Sequence, residues 1–228
     1  MKTLKTLYFL IPFLFTGVIL AGSLTGNIKF DSKKVKKLAN KKAKQQICGK
    51  GKSPIPYESV RVDEKGNFQN VIVWLKTNKK VEAPKDPVIL DQLGCRYTPH
   101  VFSLVKGQEL RIKNSDKEMH NVNSQSKINP FNAGQPAGTP DLVKAWTKTE
   151  EPFKIKCDVH GWMSAYGIVL DHPYVSISDS KGNYKIENIP PGEYEVIAWQ
   201  EKFGDKGKIS NKVTISDKDT KLDITFKK

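Results

Sequence analysis

Three side chains that bind soft metal ions stand close together in the second half of the chain. The segment Cys157-Asp-Val-His160-Gly-Trp-Met163 spaces a thiol, an imidazole and a thioether three residues apart. Together they form a ligand set for copper, because sulfur favours Cu(I) and imidazole suits both oxidation states. A lone Cys or Met usually belongs to a packed core, so the prediction depends on the joint spacing.

A copper site with these ligands needs a second imidazole from another part of the fold. His120 is the candidate, because it follows residues 109–113, which alternate polar and apolar side chains as a half-buried strand does. Met119 stands beside it, and we assign that side chain to packing. His120 is therefore the candidate to complete a copper site with Cys157, His160 and Met163, and the family resemblance described below implies these four as the ligands of one ion.

The rest of the chain predicts the short strands that would position these ligands. Phe153, Ile155 and Cys157 fall on one face of an alternating segment, and apolar runs occupy residues 70–75 and 166–170. Turn signals rich in Gly and Pro separate the runs, and no stretch after residue 53 combines helical periodicity with sufficient length. We therefore predict an all-β fold of the sandwich type.

The two ligand motifs resemble those of the cupredoxins, the blue-copper proteins, over residues 88–171. The spacing C-x2-H-x2-M is similar to the short ligand loop of amicyanin, including the aromatic Trp162 before the Met. The resemblance implies a Greek-key β-sandwich and one-electron transfer by a copper that cycles between Cu(I) and Cu(II). It also implies that Asn121 ties the two ligand loops together. Gly161 and Trp162, beside the edge of His160, would form the docking patch for a redox partner protein.

After about His172 the pattern of strands and turns begins again. The turn Asp179-Ser-Lys-Gly-Asn-Tyr184 and the hairpin signal Pro190-Pro-Gly-Glu-Tyr194 resemble the carboxypeptidase regulatory-like family of small transthyretin-like β-sandwiches. This resemblance implies a packing or interaction module without peptidase activity. We therefore predict four segments: a leader at residues 1–23, a lysine-rich tether at 24–52, a cupredoxin-like copper domain at 53–171 and a second β-sandwich at 172–228.

The first 23 residues have the layout of a secretory signal peptide. Lys2 and Lys5 precede an apolar run at residues 7–22, and Ala21-Gly22-Ser23 offers small side chains for cleavage. The run is shorter than the roughly 20 residues of a membrane span, and an uncleaved membrane anchor is the alternative. Both interpretations predict export to the periplasm or the outer cell envelope, where disulfides form.

Most of the net charge of +14 comes from the N-terminal part of the chain. Residues 1–52 carry +11 and the remaining residues only +3. The lysines between Lys33 and Lys44 predict a solvated tether that could dock on an anionic membrane surface. No aromatic residues interleave with them, so the charge does not indicate a nucleic-acid partner.

Cys95 and His100 form a second Cys/His cluster whose role the sequence leaves open. Cys95 can pair with Cys48 as a disulfide, can pair with Cys157 and consume the copper thiolate, or can lie at the metal as a second thiolate. Three cysteines allow three pairings, and their spacing does not choose among these. His100 follows Pro99, and we assign it to a structural role in a strand and not to the metal as an additional ligand.

Electron transfer by an exported copper protein is the function that these patterns favour. Copper sequestration or delivery is an alternative, and a metal-free envelope scaffold with Cys157 in a disulfide is another. We do not expect an enzyme, because no Ser-His-Asp or paired-carboxylate arrangement is evident. A full set of protein ligands would also leave the metal no open position for substrate.

Overall fold

The structure of the protein is a computed structural model, and it describes residues 21–227. Almost all regular structure in this part of the chain is β-strand, and the strands form two sandwiches, which confirms the predicted fold class. The predicted leader falls almost wholly on residues 1–20, outside the described residues. Among residues 21–227, no helix is long and apolar enough to cross a membrane.

The elements follow one another in three groups along the chain. The first group contains β1 (Gly22–Asp31), α1 (Val35–Ala39), β2 (Lys44–Cys48), β3 (Gly51–Ile55), β4 (Arg61–Val62), β5 (Phe68–Gln69) and β6 (Ile72–Lys76). The second group contains β7 (Val88–Gln92), β8 (Tyr97–Thr98), β9 (Val101–Val105), β10 (Glu109–Asn114), β11 (His120–Ser124), β12 (Phe131–Gln135), β13 (Leu142–Ala145), β14 (Glu150–Lys156) and β15 (Ser164–Leu170). The third group contains β16 (Val175–Ile177), β17 (Asn183–Ile189), β18 (Gly192–Trp199), a 3₁₀ turn (Asp205–Gly207), β19 (Ile209–Ile215), β20 (Asp219–Lys221) and β21 (Ile224–Lys227).

The second group of strands forms the first sandwich, which has two facing sheets. One sheet has the strand order β13-β10-β7-β8, and the other has the order β12-β11-β14-β15-β9. β10 runs parallel to β7 and β15 runs parallel to β9, while the other neighbours are antiparallel. Leu110 and Ile112 of β10 share one apolar core with Phe153 and Ile155 of β14, as their alternation in the sequence predicts.

The second sandwich takes two strands from the N-terminal part of the chain, which corrects the predicted segment boundaries. β1 pairs with β17 on one side and with β20 and β21 on the other, and β6 lies between β16 and β18. Residues 24–31 are therefore a strand and not part of a tether. Leu24, Ile28 and Phe30 are buried in the core of the second sandwich. Sequence analysis missed this strand because a lysine-rich segment follows these apolar residues directly.

The rest of the predicted tether is held at both ends. It begins where β1 ends, passes through the short helix α1, and continues into the hairpin formed by β2 and β3. Its lysines are exposed, and the Lys41 ammonium lies 3.1 Å from the centroid of the Tyr57 ring. The segment is therefore a basic connection between two paired strands and not a flexible N-terminal tether.

The strand β6 is apolar on both faces because it lies between two cores. Val73 and Leu75 belong to the core of the second sandwich, whereas Ile72 and Trp74 face Ile168 of the first sandwich. A strand that is buried on both faces reads as an uninterrupted apolar run. This packing joins the two sandwiches through side chains that are otherwise far apart in the sequence.

Candidate metal centre

Two neighbouring strands bring the ligand motifs together at one end of the first sandwich. His120 is the first residue of β11, and Cys157 directly follows β14. β11 and β14 are antiparallel, with Asn123 opposite Lys156, so the start of one strand adjoins the end of the other. His160 and Met163 lie in the loop between β14 and β15.

The donor atoms of three predicted ligands have the spacing that one metal ion allows. Nδ1 of His120 is 3.0 Å from Nδ1 of His160, and Sγ of Cys157 is 3.9 Å from the same nitrogen of His160. Donors that share an ion are separated by no more than the sum of their bonds to it, which is about 4.2 Å for two imidazoles and about 4.4 Å for imidazole and thiolate. Both distances from His160 are within these limits, and the thiolate and imidazole donors are those that copper prefers.

The cluster is buried at its centre and open at one edge. His120 is fully buried and Cys157 is 2% exposed, whereas His160 is half-buried. Met163 is 1% exposed and packs in the same apolar core as Cys157. Water is thus excluded from most of the donors, while one imidazole remains close to the surface.

Hydrogen bonds close the loop that carries the ligands. The backbone amide of His160 donates to Sγ of Cys157 at 3.3 Å, and the amide of Met163 donates to the carbonyl of His160 at 2.8 Å. The amide of Cys157 donates to the carbonyl of Met163 at 3.2 Å. The turn therefore holds the thiol against the imidazole with hydrogen bonds of its own.

Asp116 orients the ring of His120, and sequence reasoning missed it. Its Oδ2 lies 2.8 Å from Nε2 of His120. Because a carboxylate only accepts hydrogen bonds, Nε2 carries a proton and donates it to Asp116, and Nδ1 faces His160. The only signal in the sequence is an Asp four residues before the His, in a polar turn where several side chains could play this part.

The surroundings of Cys157 favour its thiolate. Burial alone raises the pKa of this thiol, but hydrogen bonds from His120 and from the backbone amide of His160 outweigh it and lower the pKa below the usual value. Burial lowers the pKa of His120, whereas the hydrogen bonds to Cys157 and Asp116 raise it above the usual value. The thiolate is the form of cysteine that binds a metal.

Asn121 lies between the two ligand segments, where the resemblance to cupredoxins places it. Its Oδ1 accepts a hydrogen bond from the backbone amide of Asp158 at 3.1 Å, and its Nδ2 donates to Oδ1 of Asn132 at 2.6 Å. The carbonyl of Asn121 also accepts from the hydroxyl of Tyr97 at 2.5 Å. The residue links β11 to the start of the ligand loop, in agreement with the tie between the two loops that the resemblance implies.

Cys48 and Cys95 form a disulfide, and Cys157 is the free cysteine. The alternative pairing of Cys95 with Cys157 is therefore not formed, nor is the metal-free arrangement that depends on an oxidised Cys157. The disulfide joins the β2–β3 hairpin to the turn between β7 and β8. Sγ of Cys95 and one ring nitrogen each of His120 and His160 nevertheless lie within 4.8 Å of one another.

His100 lies between the two sandwiches, and its ring is already engaged. Nδ1 is 2.9 Å from the carbonyl of Ser164, and Nε2 is 2.6 Å from Oε1 of Glu201. Burial lowers the pKa of His100, but the hydrogen bond to Glu201 and the charge of Glu58 raise it above the usual value. With both nitrogens occupied, the ring offers no donor to the metal centre.

The surface beside His160 contains the two residues predicted as a docking patch. Gly161 is exposed, and a Cβ added there would meet no atom within 4 Å. Trp162 is half-buried against the core, and its Nε1 donates to the carbonyl of Cys95 at 3.0 Å. Its ring centroid is 5.1 Å from that of His160. The open part of this surface is therefore centred on Gly161.

Comparison with known sequences gives one family match. A family model described as domain II of polysaccharide lyase family 4 matches residues 146–222. It covers most of the region where we predicted a carboxypeptidase regulatory-like module, and it is not that family, so that part of the prediction is corrected. No curated protein matches the chain.

Comparison with solved structures gives cupredoxins. A purple cupredoxin from Nitrosopumilus maritimus is 20% identical, with 36% of this chain and 98% of that chain covered and a TM-score of 0.31. Amicyanin from Paracoccus versutus is 17% identical, with 42% of this chain and 96% of that chain covered and a TM-score of 0.32. A copper-containing nitrite reductase from Thermus scotoductus SA-01 is 18% identical, with 43% of this chain covered and a TM-score of 0.33, and the chain spans 25% of its length. These are likenesses of fold.

Proposed function

We propose that the chain is an exported type 1 copper protein that transfers single electrons. His120, Cys157, His160 and Met163 would hold the copper, which when bound would supply the change between Cu(I) and Cu(II). The observation that carries the proposal is the facing pair of Nδ1 atoms, 3.0 Å apart, with the Cys157 sulfur 3.9 Å from one of them. A thiolate, two imidazoles and a thioether are the ligands of blue-copper electron-transfer sites.

The way the chain holds these donors supports electron transfer over turnover. The carboxylate of Asp116 holds the ring of His120, and the backbone amide of His160 holds the sulfur of Cys157. Donors that are fixed in advance need little rearrangement when the charge at the centre changes. A full set of protein donors also leaves no open position for a substrate, which favours a carrier over an enzyme.

Electrons would enter and leave through the half-buried ring of His160. The exposed Gly161 beside it gives a partner close access to that ring, and Trp162 would complete the contact surface. The partner would be another redox protein that docks against this edge of the first sandwich.

We place the protein in the periplasm or on the outer cell envelope. The disulfide between Cys48 and Cys95 supports this, because oxidising compartments preserve such bonds. Residues 7–22 would be a cleaved leader or a membrane anchor. The exposed lysines between Lys33 and Lys44 would face an anionic membrane surface.

The test is the visible spectrum of the purified chain after addition of Cu(II). We expect a strong thiolate-to-copper band at about 600 nm. Cys157→Ser should abolish the band because it removes the thiolate, and Met163→Leu should shift it. Met119→Leu is the matched control, since Met119 is exposed and should leave the band unchanged.

Three results would contradict the proposal. If the wild-type chain takes up no copper, or if the band survives Cys157→Ser, the assignment of this copper site is wrong. Tight binding of Cu(I) without any band from Cu(II) would reject electron transfer and support sequestration or delivery instead.

A further inference from the structure

The disulfide lies against the candidate metal centre, although no step of the proposed function uses it. Sγ of Cys95 lies within 4.8 Å of a ring nitrogen of His120 and of a ring nitrogen of His160. Cys95 is fully buried, so this sulfur faces the donor cluster and not solvent. A sulfur in this position would be a metal donor if it were a thiolate instead of half of a disulfide.

Hydrogen bonds independent of the disulfide hold Cys95 in place. Its backbone amide donates to Oδ2 of Asp116 at 2.8 Å, the same oxygen that accepts from Nε2 of His120. Its carbonyl accepts from Nε1 of Trp162 at 3.0 Å. One carboxylate therefore fixes both Cys95 and His120, and opening the disulfide leaves the Cys95 sulfur beside the imidazoles.

The two halves of the disulfide differ in access. Cys48 lies at the end of β2 in the hairpin and is only partly buried, next to Ile47, whose exposure is 67%. A thiolate from solution would therefore approach Cys48 more readily than Cys95, which is fully buried. Thiol–disulfide exchange depends on which sulfur is accessible, so attack at Cys48 releases Cys95 as the leaving thiolate.

We propose that the Cys48–Cys95 disulfide is a redox switch that, when reduced, supplies Cys95 as a second thiolate ligand to the metal centre. The inference rests on the proposed function, because it uses the same imidazoles and the same Cys157. An external dithiol attacks Sγ of Cys48, the Cys48–Cys95 bond breaks, and a mixed disulfide forms at Cys48. The second thiol of the dithiol then displaces Cys48. The dithiol has lost two electrons and two protons, and Cys48 and Cys95 have gained them.

The reduced centre offers a donor set that differs from that of a blue-copper site. Cys95 would join the imidazoles of His120 and His160, and Cys157, whose sulfur lies 3.9 Å from Nδ1 of His160, would complete an S₂N₂ set. Such sets suit ions that prefer tetrahedral coordination with sulfur, such as Zn²⁺ and Cu(I). Reduction would thus convert a centre that exchanges electrons into one that retains its metal.

The test uses the full chain and Co²⁺, whose thiolate charge-transfer absorbance reports how many sulfurs are bound. Cys48→Ser leaves Cys95 as a free thiol without any added reductant. The matched control is the double variant Cys48→Ser/Cys95→Ser, which also lacks the disulfide but has no second thiol. We expect the absorbance per bound cobalt in Cys48→Ser to be about twice that of the double variant and of the oxidised wild type.

A second measurement guards against a folding defect in the variants. The wild-type chain is reduced with a dithiol, freed of it by gel filtration without oxygen, and titrated with Co²⁺; the same twofold rise is expected. Equal absorbance in Cys48→Ser and the double variant, with one cobalt bound to each, would overturn the inference and leave the proposed function intact. A doubled absorbance in Cys48→Ser without any blue band from Cu(II) in the oxidised wild type would support the inference and overturn electron transfer.

Discussion

The two sandwiches differ in the side chains that their interiors contain. The interior of the first includes the buried side chains of His120 and Cys157, and the ring of His120 is hydrogen-bonded to Asp116. The interior of the second is organised around four phenylalanine rings with centroids 5.0–6.3 Å apart: Phe30, Phe68, Phe203 and Phe226. Burying polar groups costs free energy unless they are paired. We infer that the first sandwich is arranged for chemistry and the second for stability.

The largest effect that would test this division is expected from Phe68→Ala. Phe68 is fully buried, and its ring contacts those of Phe30 and Phe226. Removing a buried aromatic ring should lower the free energy of unfolding by about 3–5 kcal/mol. Urea denaturation followed by circular dichroism measures the loss.

The metal centre should be unaffected in whatever fraction of Phe68→Ala stays folded. Val143→Ala, at an exposed position of the first sandwich, is the control and should change stability by less than about 0.5 kcal/mol. If Phe68→Ala lost its copper or cobalt spectrum while its circular dichroism remained native, the division between the two sandwiches would be wrong.

Asp116→Asn should give the next largest effect, mainly on the metal, because an amide oxygen can still accept from the backbone amides of Gly94 and Cys95. The neutral amide holds the ring of His120 less well than the carboxylate does, so metal affinity should fall about 10–100-fold, as for other residues that orient ligands. A competition titration with a chelator measures this affinity. The control is Asp91→Asn. The carboxylate of Asp91 accepts a hydrogen bond from Ser115, the neighbour of Asp116, so this variant removes a nearby charge and should leave the metal affinity unchanged. Equal losses in both variants would show an effect of net charge instead of orientation.

The ligand loop could be predicted from the sequence because its information is local. Cys157, His160 and Met163 are spaced within one turn, and the turn is closed by hydrogen bonds among these same residues. The alternation in β10 and β14 is likewise local and defines which side chains enter the core. Patterns of this kind need no knowledge of distant partners.

The parts that the sequence did not reveal depend on distant partners. β1 becomes a core strand only because β17 and β21, more than 150 residues later, pair with its two sides. By itself it follows an apolar run and precedes a lysine cluster, so it resembles the end of a leader. The choice of Cys48 as the partner of Cys95, and of Asp116 as the partner of His120, is set by the same folded geometry.

The contact between the sandwiches should respond to pH, with a smaller effect than either substitution. The pKa of His100 is raised above its usual value of about 6.5. Its protonation therefore contributes stability that is fully present below that pH and is lost as the pH rises through the folded pKa. For a single proton the loss cannot exceed about 1.4 kcal/mol per pH unit.

Urea denaturation at a series of pH values would measure this effect. The charged groups that face His100 are Glu58, Glu201 and Arg96, and burial raises the pKa of Glu58, so its contribution has the same sign. The comparison is therefore between the wild type and His100→Gln, which should lack the extra slope above pH 6.5. Parallel curves would mean that the ion pair does not couple the sandwiches.

The smallest effect is expected from Gly161→Ala, at the open edge of the metal centre. An added Cβ would meet no atom within 4 Å, so both stability, within about 0.5 kcal/mol, and the copper spectrum should be unchanged. Gly167→Ala is the counterpart in the interior, where a Cβ would lie 2.6 Å from Phe102 and 2.8 Å from Phe153 and must disturb the core. Thermal unfolding of both variants measures the contrast. A marked loss for Gly161→Ala would mean that this edge is covered and that His160 cannot serve as the exit for electrons.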